Sequence, residues 1–402
     1  MRLRTHLLQL LAPFHPGDEV APGARLVGVL LEIGLGWRFR TTDGDVNVEV
    51  VLAADAERFA ARTPRLALSY RAITPAPARS RAGKALCEAL VPIVARNEDA
   101  ALAAIEREAA TEDETSRAGR RLREVQVDTA LEPALDSPSA FFTITPYVGC
   151  VIGCRFCYAQ APIGHMRRLA RAPVVPWGSY VDVRVNLPDV LARELVDAPR
   201  WPIKFCPILS DPYQAVESRY EVTRSCLKVL HAAAPRPVLV LTRSRLVERD
   251  AELLASLADA WVGASIPTLD EDVRRHFEPR AASIEERFAL LRTLRAAGVE
   301  TFAVVQPMLP GPVEAFADAL AGTVSSVSID VLYGVQGAAP DFADPSYAAA
   351  ATGEWQRERA AALTAALVRN GVTIWDGDLP PSLTATPTSN APDVGAALRR
   401  RP

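Results

Sequence analysis

The sequence predicts an α/β protein: a partial barrel of six β/α repeats over residues 140–376, preceded by a β-rich and helical extension. Three observations carry this. From residue 140 onward, short apolar, β-branched runs alternate with amphipathic patterns, as expected of parallel strands joined by helical crossovers. Six such repeats in roughly 235 residues suit an α/β barrel, whose function gathers at the C-terminal strand ends. Polar side chains fall at those ends, and the first 130 residues lack the alternation altogether.

In chain order, residues 1–80 read as a β-rich module. The runs "ARLVGVLLEIG", "WRFRTTDG", "DVNVEVVLAA" and "RLALSYRAI" are strand-like, with Asp43 and Gly44 supplying a hairpin turn. Residues 81–139 read as a helical connector. "PAPARSRAGK" is taken as a linker, and Leu86, Leu90, Ile93, Val94, Leu102 and Ile105 recur at helical spacing, predicting helices over 85–127. "DTALEPALDSPSA" is a second linker. The barrel strands are expected near 141–146, 203–209, 237–242, 260–266, 299–306 and 325–332. The barrel helices are expected near 188–198, 218–233, 247–258, 283–297, 312–321 and 353–370. Residues 377–402, rich in Pro, Thr and Ala from Leu383 onward, are expected to be disordered.

Net charge is −3, so nothing global marks a nucleic-acid binder. Lys84, Lys204 and Lys228 are the only lysines; the other basic residues are arginine, including the run His165, Arg167, Arg168 and Arg171. Such runs are by default solvated faces, though they also suit an anionic substrate. No run of about 18 apolar residues could span a bilayer, and the N-terminal segment lacks a cleavage site, so a cytoplasmic protein is expected.

Six cysteines are too few for a disulfide scaffold. Three of them stand together as Cys150-x3-Cys154-x2-Cys157 in "TPYVGCVIGCRFCYAQAP", between Gly149 and Tyr158. Three soft thiolates so close in sequence suit iron–sulfur or zinc, and three ligands leave one metal position open for chemistry. The glycines at 149 and 153 let the loop turn tightly. Zinc would need a fourth ligand, for which His165 is the nearby candidate. A non-catalytic iron–sulfur or zinc protein is the reading from another class.

With Phe156 before its last cysteine, the motif resembles the signature of the radical S-adenosylmethionine (SAM) superfamily. More narrowly, "PYVGCVIGCRFCYA", "SDPYQAVE", "LTRS", "TLDEDVRRHFEPRAAS" and "MLPG" resemble the spore-photoproduct-lyase-like group, over about residues 140–312. The resemblance implies a radical-SAM-type barrel with a 4Fe–4S cluster on Cys150, Cys154 and Cys157. The fourth iron is then chelated by the amino and carboxylate groups of SAM, which is cleaved to a 5′-deoxyadenosyl radical. It also implies an external electron donor of flavodoxin or ferredoxin type, and places Phe156 and Tyr158 near the adenine.

Four strand ends supply the remaining cofactor-binding candidates. Ser210 and Asp211, where the superfamily often has a Gly-Gly-Glu-like stretch, are expected to meet the SAM ammonium; turn chemistry is the alternative. Glu217 is read as the cap of the next helix. Thr242 and Arg243 end the third strand, and Arg243 offers a bidentate fork to the SAM carboxylate. Ser265, in the fourth strand, suits a ribose or carboxylate, and Gln306 ends the fifth strand facing the adenosyl group. Cys206 is a catalytic candidate because the resembling lyases carry a hydrogen-donating cysteine in this strand; a buried inert thiol is the alternative.

The expected reaction is hydrogen abstraction from a peptide, RNA or small metabolite recruited by residues 1–130, which are then dispensable for SAM cleavage. Repair of a DNA photoproduct is the second reading, weakened by the acidic net charge.

Overall fold

The structure is a computed structural model that describes residues 3–30, 35–72, 77–111, 114–117, 120–134, 140–169, 175–205, 209–332, 334–375 and 377–384. The six expected barrel strands are present as Phe141–Thr143, Ile203–Phe205, Val238–Thr242, Ala260–Ser265, Glu300–Val305 and Ser326–Ile329. They lie parallel and bonded in chain order. The helices Leu187–Glu194, Val222–Ala232, Ala251–Ala255, Ile284–Ala296, Val313–Ala321 and Gly353–Arg369 cross between them or follow them. Strand residues such as Val238, Leu239 and Val240 are buried whichever face they point to, as in a parallel sheet covered on both sides.

A seventh parallel strand, Thr373–Trp375, follows the last helix and pairs with Ser326–Ile329. At the other edge Glu132–Ala134 runs antiparallel to the first strand. Three residues each are too short to show a period, which is why neither was foreseen. The eight strands end at these two edges and do not close on each other, so the barrel is partial.

Residues 3–111 build their own core. Six antiparallel strands between Glu19 and Ala72 pack with the helices Leu3–Leu10 and Pro77–Thr111 around Leu7, Trp37, Phe39, Val48, Leu90 and Ile105. Here the sequence reading needs correction. "PAPARSRAGK" is no linker: a helix begins at Pro77, where a missing N–H costs nothing in the first turn. The helix stops at Thr111 rather than near residue 127. Arg120–Val125 is instead a strand, parallel to Tyr180–Arg184 in a small sheet that also holds Tyr147–Val148 and Glu114–Arg117. The supposed linker after it is anchored as well, because buried Glu194 accepts from the Thr129 hydroxyl and from the Ala130 and Leu131 amides.

Nor does chain order end at 376. Leu379 and Leu383 are buried against Phe141 and Leu239; residues 385–402 lie outside the described residues. Among the described residues, no helix is long and apolar enough to cross a membrane.

Candidate active site

The cysteine loop follows Tyr147–Val148 and crosses the C-terminal ends of the barrel strands. Gly149 (φ +88°) and Gly153 (φ +64°) take left-handed conformations that a side chain resists. Gln214, fully buried, holds the loop from below: its amide nitrogen donates to the Gly149 carbonyl at 3.0 Å and its oxygen accepts from Val151 N at 2.8 Å. Arg280 holds it from the side, donating to the carbonyls of Val151 and Gly178. Its guanidinium lies between Gly153 and Gly178, where an added Cβ would come within 2.2 and 2.1 Å of Nη2. Trp177 Nε1 donates to the Cys154 carbonyl at 3.1 Å.

Two adjoining cavities meet at this loop. Cys150, Cys154 and Cys157 line the first with Trp177, Ser210, Asp211 and Arg243. Cys154, Cys157 and Arg243 also line the second, with Phe156, Tyr158, Ser265 and Gln306. Of the cluster- and cofactor-binding candidates named from sequence, all but Thr242 therefore border one of the two. Cys206 lies outside the described residues.

The polar set divides by what each group is bonded to. Asp211, buried in the wall of the first cavity, accepts from Tyr213 N at 2.8 Å, from the Thr242 hydroxyl at 2.6 Å and from Arg243 N at 2.7 Å. Burial raises its carboxyl while these donors oppose the rise. Asp211 and Thr242 thus tie the second strand end to the third. Ser210 accepts from Gln214. Arg243 donates from Nε to Glu278 Oε1 at 2.6 Å. Gln306 donates to Asp330 at 3.1 Å. Glu217 caps Val222–Ala232 through the Thr223 and Arg224 amides, as read from sequence.

Burial pushes the Cys150 thiol up to about 12, with the Asp211 charge second. Burial likewise raises Cys154 and Cys157, opposed at both by the Arg243 cation. Buried thiols of this kind become thiolates when cations bind them. Among the described residues, no group of three or more His, Cys, Asp or Glu is arranged to hold a single metal ion. A cluster asks for less, since each thiolate binds its own iron. Three thiols on one cavity with an arginine beside them fit such a cluster. His165, which contacts Arg168 on the helix Gln160–Leu169, borders neither cavity.

Sequence reasoning missed Gln214, Arg280, Arg287 and Glu278. Gln214, Glu278 and Arg280 lie within "SDPYQAVE" and "TLDEDVRRHFEPRAAS", segments that carried the family resemblance, but as charged or amide-bearing side chains without ligand spacing they were given no role. Glu278 and Arg287 in fact have no exposed surface.

Residues 144–320 match the family model of the radical SAM superfamily. An uncharacterized protein of Methanocaldococcus jannaschii is 30% identical over 173 residues, covering 43% of this chain and 62% of its own length. One from Mycobacterium tuberculosis is 31% identical over 174 residues, 42% of this chain and 50% of its own. The chain thus spans about half to three-fifths of the relatives it matches. Among solved structures, a spore photoproduct lyase complexed with dinucleoside spore photoproduct aligns at 16% identity and TM-score 0.46, over 63% of this chain and 82% of that one. A radical SAM methyltransferase from Kitasatospora setae aligns at 15% identity and TM-score 0.36, over 47% of this chain and 35% of that one. The match to the radical SAM superfamily model thus spans residues 144–320, somewhat less than half of the chain.

Proposed function

We propose that the protein is an enzyme that binds a 4Fe–4S cluster on Cys150, Cys154 and Cys157 and cleaves SAM reductively to start radical chemistry on a substrate. The observation that carries this reading is the meeting of two cavities at Cys154, Cys157 and Arg243. When bound and reduced, the cluster supplies one electron to a sulfur–carbon bond of SAM, leaving methionine and a 5′-deoxyadenosyl radical that takes a hydrogen atom from substrate. An external donor of flavodoxin or ferredoxin type supplies that electron.

The chain's own residues bind and orient. Arg243 receives the SAM carboxylate: Glu278 occupies Nε, and the terminal nitrogens make no hydrogen bond to any described residue. Ser210 lies across the first cavity as an acceptor for the ammonium. Asp211 acts one step back, fixing the Thr242 hydroxyl and the Arg243 backbone. Phe156 and Tyr158 flank the second cavity, opposite Ser265 and Gln306, where the adenosyl group fits. Leu241, Val304, Val331 and Leu332 add apolar walls that keep water from a carbon radical.

A peptide, RNA or small metabolite is the proposed substrate class. The protein reconstituted anaerobically with iron and sulfide, then given SAM and dithionite, is expected to form 5′-deoxyadenosine and methionine in equal amounts. A fully loaded protein that forms neither would overturn the proposal.

A further inference from the structure

The segment 271–287 reaches the cysteine loop and the ends of the third and fourth strands. The Phe277 carbonyl accepts from Arg155 N inside the cysteine loop at 2.9 Å, and Ala282 N donates to the Arg243 carbonyl at 3.0 Å. Arg274 pins its backbone through the carbonyls of Glu278 and Ala281. At its centre the Glu278 carboxylate, with no exposed surface, is shared between two arginines. Oε1 accepts from Arg243 Nε at 2.6 Å and Oε2 lies 2.7 Å from Arg287 Nη2. The same Oε1 is 3.9 Å from Cys154 Sγ. Arg287, equally buried, donates to the carbonyls of Ala282 and Ser265.

This geometry has a direct consequence for Arg243. A guanidinium on a long side chain has several rotamers, and one held at Nε by a buried carboxylate has its plane fixed. Arg243 lines both cavities beside Cys154 and Cys157, and with Nε taken by Glu278 its two terminal nitrogens are left as a preformed fork. Charge favours the same arrangement. Arg243 and Arg287 set two cations against the Glu278 carboxylate, with the Asp211 carboxylate bonded to the Arg243 backbone, so cations stand beside the place where thiolates and a ligand carboxylate would be buried.

We propose that Glu278 is a positioning residue for the cofactor site: it orients the Arg243 fork toward the SAM carboxylate and, through Arg287, locks the ends of the third and fourth strands to the cysteine loop. The proposal rests on the SAM reading given above.

The test is SAM affinity by calorimetry on anaerobically reconstituted protein, with iron per chain measured first. Wild type, Glu278→Gln, Arg243→Lys and the double variant are compared. Wild type that loads iron but does not bind SAM refutes the underlying reading and says nothing special of Glu278. If wild type binds, Glu278→Gln is expected to weaken SAM by about 10- to 100-fold, the usual cost of removing a group that orients a ligand-binding residue. The double variant is expected to be no weaker than Arg243→Lys alone, because Glu278 acts through Arg243. Glu278→Asp, which keeps the charge and shortens the reach, serves in its place should Glu278→Gln fail to fold. Wild-type affinity in a loaded Glu278 variant, or fully additive losses in the double variant, would overturn the proposal.

Discussion

Each of the three cysteines is held where a thiolate is costly and only a bound cation repays it. Burial dominates at all three, and the nearest fixed cation, Arg243, opposes the rise at Cys154 and Cys157. Replacing any one with Ala should therefore remove one anchor and leave the protein with less iron and sulfide per chain; unchanged stoichiometry in any variant would refute that cysteine's role. Spacing singled out the triad, and the structure sets all three thiols on one cavity. Glu278 was not legible, because a lone carboxylate among arginines reads as surface until its burial is seen. Gly153 was read as permitting a tight turn, which its φ of +64° bears out. The close approach of Arg280 was invisible from sequence. Gly153→Ala should combine left-handed strain, about 1–2 kcal/mol, with a collision against Arg280. Gly371→Ala carries left-handed strain, at φ +75°, with nothing in its way. Thermal unfolding should show a larger drop for Gly153→Ala, together with lower iron content; equal drops and equal iron would show that Arg280 does not brace the loop.

Among the elements, helix Val222–Ala232 shows how the fold supports the site from outside it. Glu217, with no exposed surface, accepts from Tyr147 OH, from two amides that open the helix and from Arg249 Nη2 at 2.8 Å. Tyr147 begins the strand that leads into the cysteine loop, so one carboxylate joins loop, helix and the segment after the third strand. The Tyr147 phenol is raised by burial and then by the Glu217 charge, so it stays a donor. Glu217→Ala should remove the acceptor of the Tyr147 hydroxyl and of the helix amides, while Arg249 keeps Asp250, and cost about 1–3 kcal/mol, read as a lower midpoint in denaturant. A midpoint within error of wild type would show that this network is dispensable. The capping role was readable from position alone; the partners were not, since Tyr147 and Arg249 lie far away in sequence.

At the scale of the whole molecule, the barrel was legible almost strand by strand, because apolar runs buried on both faces alternate with amphipathic helices. The joint between the N-terminal module and the barrel was not. Short strands with arginine-rich faces, such as Arg120–Val125, look like helix surface until their partner Tyr180–Arg184 is known. The joint is extensive: Leu169 enters the module's core, Arg168 pairs with Asp55 at 2.7 Å, and residues 129–131 donate to Glu194. A chain beginning near Asp136 would lose all of these and leave Tyr180–Arg184 as an exposed edge. We expect it to aggregate or fail to load iron, against the reading of residues 1–130 as dispensable; a soluble, fully loaded truncation would restore that reading. The central claim is that the three cysteines hold a cluster whose fourth iron meets SAM beside Arg243. It is tested most directly by electron paramagnetic resonance of the dithionite-reduced, reconstituted protein with and without SAM. The account predicts the signal of a reduced 4Fe–4S cluster that shifts when SAM is added. A cluster signal that SAM leaves unchanged would contradict it.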